Sequence, residues 1–180
     1  MGGTTPAHDA DALRQQRCDT YYKIGLNHLG VGRDADALAA FDALLADCPD
    51  EPRGLMGRGL ALGRLGRVGE ALAAAERLLA IAPDDARGYS TRAFIRQQTG
   101  RLAEARADYE RAIALEPENP AHRYNFACYW AKVGDAARCR ANLAEVLRRK
   151  PASHVFAAAD VDFACFRDEP WFVELVSFKE

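Results

Sequence analysis

The side chains able to do chemistry are few and scattered. Cys18, Cys48, Cys128, Cys139 and Cys165 are odd in number and include no CxxC pair, so neither a disulfide framework nor a zinc site is signalled. His8, His28, His122 and His154 lack the H-x-x-x-H spacing that sets two imidazoles on one helix face, which predicts surface or packing roles. Asp160 and Asp162 are two carboxylates without the further spaced oxygens a cation needs, and helix capping accounts for them better. No phosphate loop, Ser/His/Asp ordering or pair of catalytic carboxylates emerges. Arg53 and Arg87, 34 positions apart, carry recognition chemistry instead: a guanidinium forms charge-assisted, often bidentate bonds with a carboxylate. The expectation is a protein that binds rather than catalyses, with no cofactor and no metal.

Bulk properties narrow the partner. The 180 residues are 49% apolar and 28% charged, ordinary for a folded domain, with a formal net charge of −2. Such a balance supplies no bulk attraction to nucleic acid or to an anionic membrane. The start, MGGTTPAHDADAL, has no basic region followed by an apolar run, and no stretch is apolar enough to span a bilayer. Neither secretion nor membrane insertion is expected, and a reducing cytoplasm fits the cysteine usage.

The elements that must position these residues come from a repeat. Pro49, Pro83, Pro117 and Pro151 recur every 34 residues, and so do Gly32, Gly66, Gly100 and Gly134. Between them lie pairs of short amphipathic helices. Gly25, Gly59, Ala93 and Ala127 fall at one place in the units, and Ala37, Ala71, Ala105 and Cys139 at another, so small residues meet where two helices cross. Phe41, Ala75, Tyr109 and Leu143, with Leu44, Leu78, Ala112 and Val146, form the apolar stripe of each second helix. Each glycine supplies the positive φ that ends a first helix, and each proline stops a second one. Cys139 stands at a helix crossing and reads as a buried, inert thiol.

The units are residues 18–51, 52–85, 86–119 and 120–153, within a repeat region over 11–153. A flexible tail over 1–10 precedes it and a capping segment over 154–180 follows; regular helix is expected from about Asp11. In length, small residues, aromatics and terminal proline, the array resembles tetratricopeptide repeats. That resemblance implies an all-α fold, a right-handed superhelical solenoid of antiparallel helix pairs. Arg58, Arg92, His28 and Arg96 depart from the usual apolar or aromatic pattern; their heads are expected at the edge of the stack while their stems pack, with Arg92 pairing with Asp108 and replaceable by leucine. The last segment, with Asp160, Asp162 and Phe163 in a D-x-D-F stretch and a helix containing Trp171, Phe172, Leu175 and Val176, resembles the end-of-group piece that closes some bacterial arrays. Its physical role is to cover the bare face of the last repeat. Asp168 is expected to cap the final helix, with Pro170 in its first turn.

Carried over by register, the resemblance implies a concave groove lined by the first helices. Its side chains would be Tyr22 and Leu26; Arg53, Met56, Leu60 and Arg64; Arg87, Ser90, Phe94 and Gln97; and Tyr124, Asn125 and Cys128. Tyrosine, phenylalanine, methionine and arginine are types that supply binding energy in interfaces. The expected partner is a protein or peptide segment, with acidic groups for Arg53 and Arg87, and no nucleic acid or membrane. Oligomeric state is not readable. A clamp for a C-terminal carboxylate is not expected, because Tyr22 and Leu26 stand where Lys and Asn are needed. Two alternatives remain: a secretion chaperone of the same repeat family, which needs an N-terminal helical dimerisation face, and a redox sensor or enzyme built on Cys128.

Overall fold

The computed structural model describes residues 6–177. Its helices are α1 (Pro6–Gly30), α2 (Asp34–Asp47), α3 (Pro52–Arg64), α4 (Val68–Ile81), α5 (Ala86–Gln98), α6 (Leu102–Leu115), α7 (Pro120–Val133), α8 (Ala136–Arg149), α9 (Ser153–Ala159) and α10 (Pro170–Val176), with a 3-10 helix over Val161–Phe166 between the last two. Consecutive helices pair as antiparallel hairpins that stack into the expected all-α solenoid. Helix α1 begins at Pro6, earlier than the pattern from Asp11 suggests. Residues 1–5 of the expected tail lie outside the described residues.

The periodic glycines and prolines act as the sequence requires. Gly32, Gly66, Gly100 and Gly134 have φ of 73°, 74°, 76° and 83°, a left-handed conformation in which a side chain is strained. The turn is the same four times: the next residue's N–H returns to a carbonyl near the helix end, Arg33 to His28, Arg67 to Leu62, Arg101 to Arg96 and Asp135 to Trp130, each at 2.9 Å. The prolines work on the residue before them. Cys48, Ala82, Glu116 and Lys150 end their helices with ψ of 78°, 79°, 72° and 78°, because the proline ring clashes with a helical conformation at the preceding residue.

Packing follows the small residues. The Phe41 ring is fully buried between α1 and α3, where Gly25 and Gly57 both present bare backbone to it; a Cβ on Gly25 would meet the ring at 2.5 Å. At the other end, Phe163, Phe166 and Phe172 are buried in the cluster that holds Phe126, Trp130 and Leu143, so the segment after the fourth hairpin covers its apolar face. Two local expectations change. The residue capping α10 is Glu169 rather than Asp168: Pro170 takes the first helical position and forces the residue before it into extended backbone, φ −72°, ψ 130°. Cys18 and Cys48 are joined by a disulfide, contrary to the reading from spacing; the α1–α2 hairpin brings together residues 30 apart that no short motif links.

Two of the departures from the apolar pattern, Arg92 and Arg96, form an ionic cluster between helices, while Arg58 pairs with the exposed Asp42. Asp108 is 4% exposed and receives Arg92 in a bidentate pair, Nε at 2.9 Å and Nη2 at 2.7 Å, plus Arg96 Nη1 at 2.6 Å. The pairing of Arg92 with Asp108 is as expected. The exposure is not, since the guanidinium heads lie against a buried carboxylate and not at the edge of the stack.

Candidate functional site

A cavity of about 580 Å³ opens along the first helices of the hairpins. It exists because α1, α3, α5 and α7 present equivalent faces in succession, so residues at equal places in the repeat line one wall. Tyr22 of α1, Met56, Leu60 and Arg64 of α3, Arg87, Ser90, Phe94 and Gln97 of α5, and Tyr124, Asn125 and Cys128 of α7 all border it. Leu26 and Arg53 do not. Leu26 is 40% exposed away from the cavity, and Arg53 is held by Glu51 at 2.7 Å and Asp19 at 2.8 Å with its guanidinium 5.1 Å over the Tyr22 ring.

The two arginines expected to read acidic groups are therefore already answered within the chain. Arg87 grips Asp85 in a bidentate pair, at 2.9 Å and 2.5 Å, while the same carboxylate caps α5 by accepting from the Arg87 N–H. Arg64 donates to the Leu29 carbonyl at 2.8 Å and lies 3.5 Å from Asp34.

Several lining residues escaped the register. Tyr109 reaches in from α6 and donates to Gln97 Oε1 at 2.9 Å. His122 is 3% exposed and sits in a chain: Nδ1 is 2.7 Å from Ser90 Oγ, and Nε2 is 3.1 Å from Glu116 Oε2. Hydroxyl, imidazole and carboxylate in series resemble a catalytic relay. Ser90, however, lies within α5, where backbone N–H groups are committed to the helix and leave none to hold an oxyanion. The chain ties α5 to α7 and to the loop before it.

Asp160 and Asp162 close one end of the cavity, carried there by the 3-10 helix. Asp160 does act as a cap, accepting from the Asp162 N–H at 3.0 Å, but it also accepts from the Tyr124 hydroxyl at 2.7 Å. Burial, then Asp160, raises the Asp162 carboxyl above the usual range, opposed by the neighbouring Cys128 thiol and by Lys132. Burial first, with Asp162 and Asp160 adding, pushes the Cys128 thiol upward. A thiol in that state is a poor nucleophile, which counts against a reactive Cys128. The sequence signal for this end is the D-x-D-F stretch itself, whose spacing points to capping and does not reveal that its carboxylates border the cavity.

Among the described residues no three His, Cys, Asp or Glu side chains stand close enough to hold a metal ion. No described helix is long and apolar enough to cross a membrane.

Known proteins share this fold. Two family models, both described as tetratricopeptide repeat, match residues 22–86 and 69–123, together more than half of the chain. No curated protein matches the sequence. A thermophilic TPR protein of Thermus thermophilus has the same fold with a TM-score of 0.72 at 18% identity, over 88% of this chain and 86% of that one. PilF of Pseudomonas aeruginosa gives 0.65 at 17%, over 91% and 73%. The first TPR of Spaghetti (RPAP3), bound to the HSP90 peptide SRMEEVD, gives 0.52 at 26%, over 58% of this chain and 82% of that one.

Proposed function

Because this chain belongs to the tetratricopeptide repeat family, we propose that it is a non-catalytic protein interaction module that holds a peptide segment of a partner in the groove along its first helices. The observation that carries this reading is the cavity of about 580 Å³ walled by Met56, Leu60, Phe94 and Tyr124, an apolar floor edged by polar groups. The RPAP3 domain, similar over 58% of this chain, holds an HSP90 peptide, which supports a peptide as the kind of occupant.

The test is a charge placed in the floor. Met56→Glu sits in the cavity wall and should abolish binding to an array of short synthetic peptides while the far-ultraviolet circular dichroism stays that of the parent. Undiminished binding by Met56→Glu sinks the reading.

A secretion chaperone is less well supported. Its dimerisation face would have to come from the extra length of α1, and Leu13, 58% exposed, is the one large apolar side chain between residues 10 and 17. A bacterial cytoplasm belongs to the same proposal and rests on the resemblance of residues 154–180 to bacterial end segments. In that reducing setting the Cys18–Cys48 bond is open, so counting thiols on protein quenched directly from cells tests it.

A further inference from the structure

The groove is electrically lopsided. Its bordering cations are matched: Arg87 by Asp85, and Arg64 by the Leu29 carbonyl and Asp34. Its bordering carboxylates at the far end are not, since neither Asp160 nor Asp162 has a cation within ion-pair distance among the described residues. Two nearby cations are engaged elsewhere: Lys132 donates to Gln98 Oε1 at 3.2 Å, and Arg167 to the Asp160 backbone carbonyl at 3.3 Å. A second feature points the same way. Gln97 is 3% exposed and borders the cavity; its Oε1 is taken by Tyr109, while its amide N–H groups have no acceptor among the described residues. Because Gln97 borders the cavity, an incoming backbone carbonyl can accept from that amide. The two features share one cavity, which Gln97, Tyr109, Asp160 and Asp162 all border.

We propose that the occupant of the groove is a peptide segment bearing a lysine or arginine, whose charged head is received by Asp160 and Asp162 and whose backbone carbonyl accepts from the Gln97 amide. This rests on the peptide-binding reading and names the partner's chemistry. The aromatic wall beside the carboxylates, Tyr124, suits the alkyl stem of such a side chain. The inference reverses the acidic partner expected from Arg53 and Arg87. Those arginines hold the chain's own carboxylates, whereas the end built by the capping segment has charge to offer.

The test uses the full chain and fluorescein-labelled short peptides of randomised apolar and neutral residues, with a fixed central Lys, Arg, Gln or Glu, read by anisotropy. Lys- and Arg-centred sets should bind more tightly than the Glu-centred set. Asp162→Asn, which keeps the shape and leaves the Asp160 cap in place, should weaken Lys and Arg binding about tenfold and leave the Gln set unchanged. Raising the salt concentration should narrow the difference between sets. Gln97→Leu should weaken every set alike. A preference for Glu, no preference among the sets, no binding of any set, or an Asp162→Asn variant that matches the parent overturns the inference. Met56→Glu separates the two failures: binding it abolishes, without a Lys or Arg preference, sinks this inference alone, and binding it leaves intact sinks the groove reading as well.

Discussion

Ser90 Oγ lies 2.7 Å from His122 Nδ1, a buried contact that fastens α5 to α7 directly beneath the groove. Because Glu116 Oε2 faces Nε2 at 3.1 Å, the ring donates toward the carboxylate and its other nitrogen accepts from the serine hydroxyl. Ser90→Ala removes that donor and leaves a buried acceptor without a partner. The expected loss is about 1–3 kcal/mol in urea unfolding, with helicity retained. A loss below the precision of the melt means that the contact does not hold the two helices together.

The Asp108 cluster sets a second expectation, opposite to the one the sequence suggests. Arg92→Leu strips a bidentate partner from a carboxylate that is 4% exposed, leaving Arg96 to match it alone. Removing one partner of a buried ion pair destabilises strongly, and with Arg96 remaining the cost should be about 2 kcal/mol. The triple variant Arg92→Leu, Arg96→Leu and Asp108→Leu should recover most of it, since no member of the cluster is then left charged and unmatched. Equal stability of Arg92→Leu and the parent contradicts this account.

How much of this could be read in advance follows from the kind of constraint each residue answers. Gly32 and its three counterparts were legible because positive φ selects one residue type, and the prolines because their rings act on a neighbour without reference to the rest of the fold. Ser90 and His122 were not, since they meet across 32 residues and neither belongs to the repeating pattern. The groove wall followed from register, but its charge did not: whether Arg53 faces a ligand or Asp19 depends on a partner one repeat away. Asp160 and Asp162 sit in a segment that breaks the period, so no register could place them at the cavity. The Cys18–Cys48 bond was hidden for the same reason as the serine–histidine contact.

Phe41 makes the packing between the first two hairpins testable. Its ring fills the space that Gly25 and Gly57 leave open, so Gly57→Ala should cost about 1–3 kcal/mol by overpacking. Adding Phe41→Leu frees room, and the double variant should be less unstable than the sum of the two single losses. Simple additivity in denaturant melts shows that the ring and the glycine do not compete for that space.

Acid should unlock the start of α5. Burial raises the Asp85 carboxyl, but the Arg87 guanidinium and the backbone N–H groups of Arg87 and Gly88 outweigh it, so the folded-state pKa lies below the ordinary 3.8. A depressed carboxylate contributes stability that is fully present above its unfolded value and is lost as pH falls through the folded one. The stability gap between the parent and Asp85→Asn, measured by thermal melts, should therefore be constant at neutral pH and close below about pH 4. A gap that persists unchanged at pH 2 means that the cap works through geometry and not through charge.

The thiols give the last expectation, and it separates binding from redox chemistry. Burial pushes Cys139 up to about 12 and raises Cys128 further, with Asp162 and Asp160 beside the latter, so neither offers thiolate at neutral pH. Cys165 is exposed, and Cys18 and Cys48 hold each other. Iodoacetamide added to the native chain at pH 7.5 should label Cys165 first and leave Cys128 and Cys139 unmodified until denaturant is added, as read by peptide mass spectrometry. Asp162→Asn lifts one of the charges that oppose ionisation of Cys128 and should speed its labelling, while Cys139, a helix away, keeps the parent rate. Fast modification of Cys128 in the unaltered chain would restore the reactive-thiol reading, because a nucleophile in the groove requires the ionised form that burial and the two carboxylates disfavour.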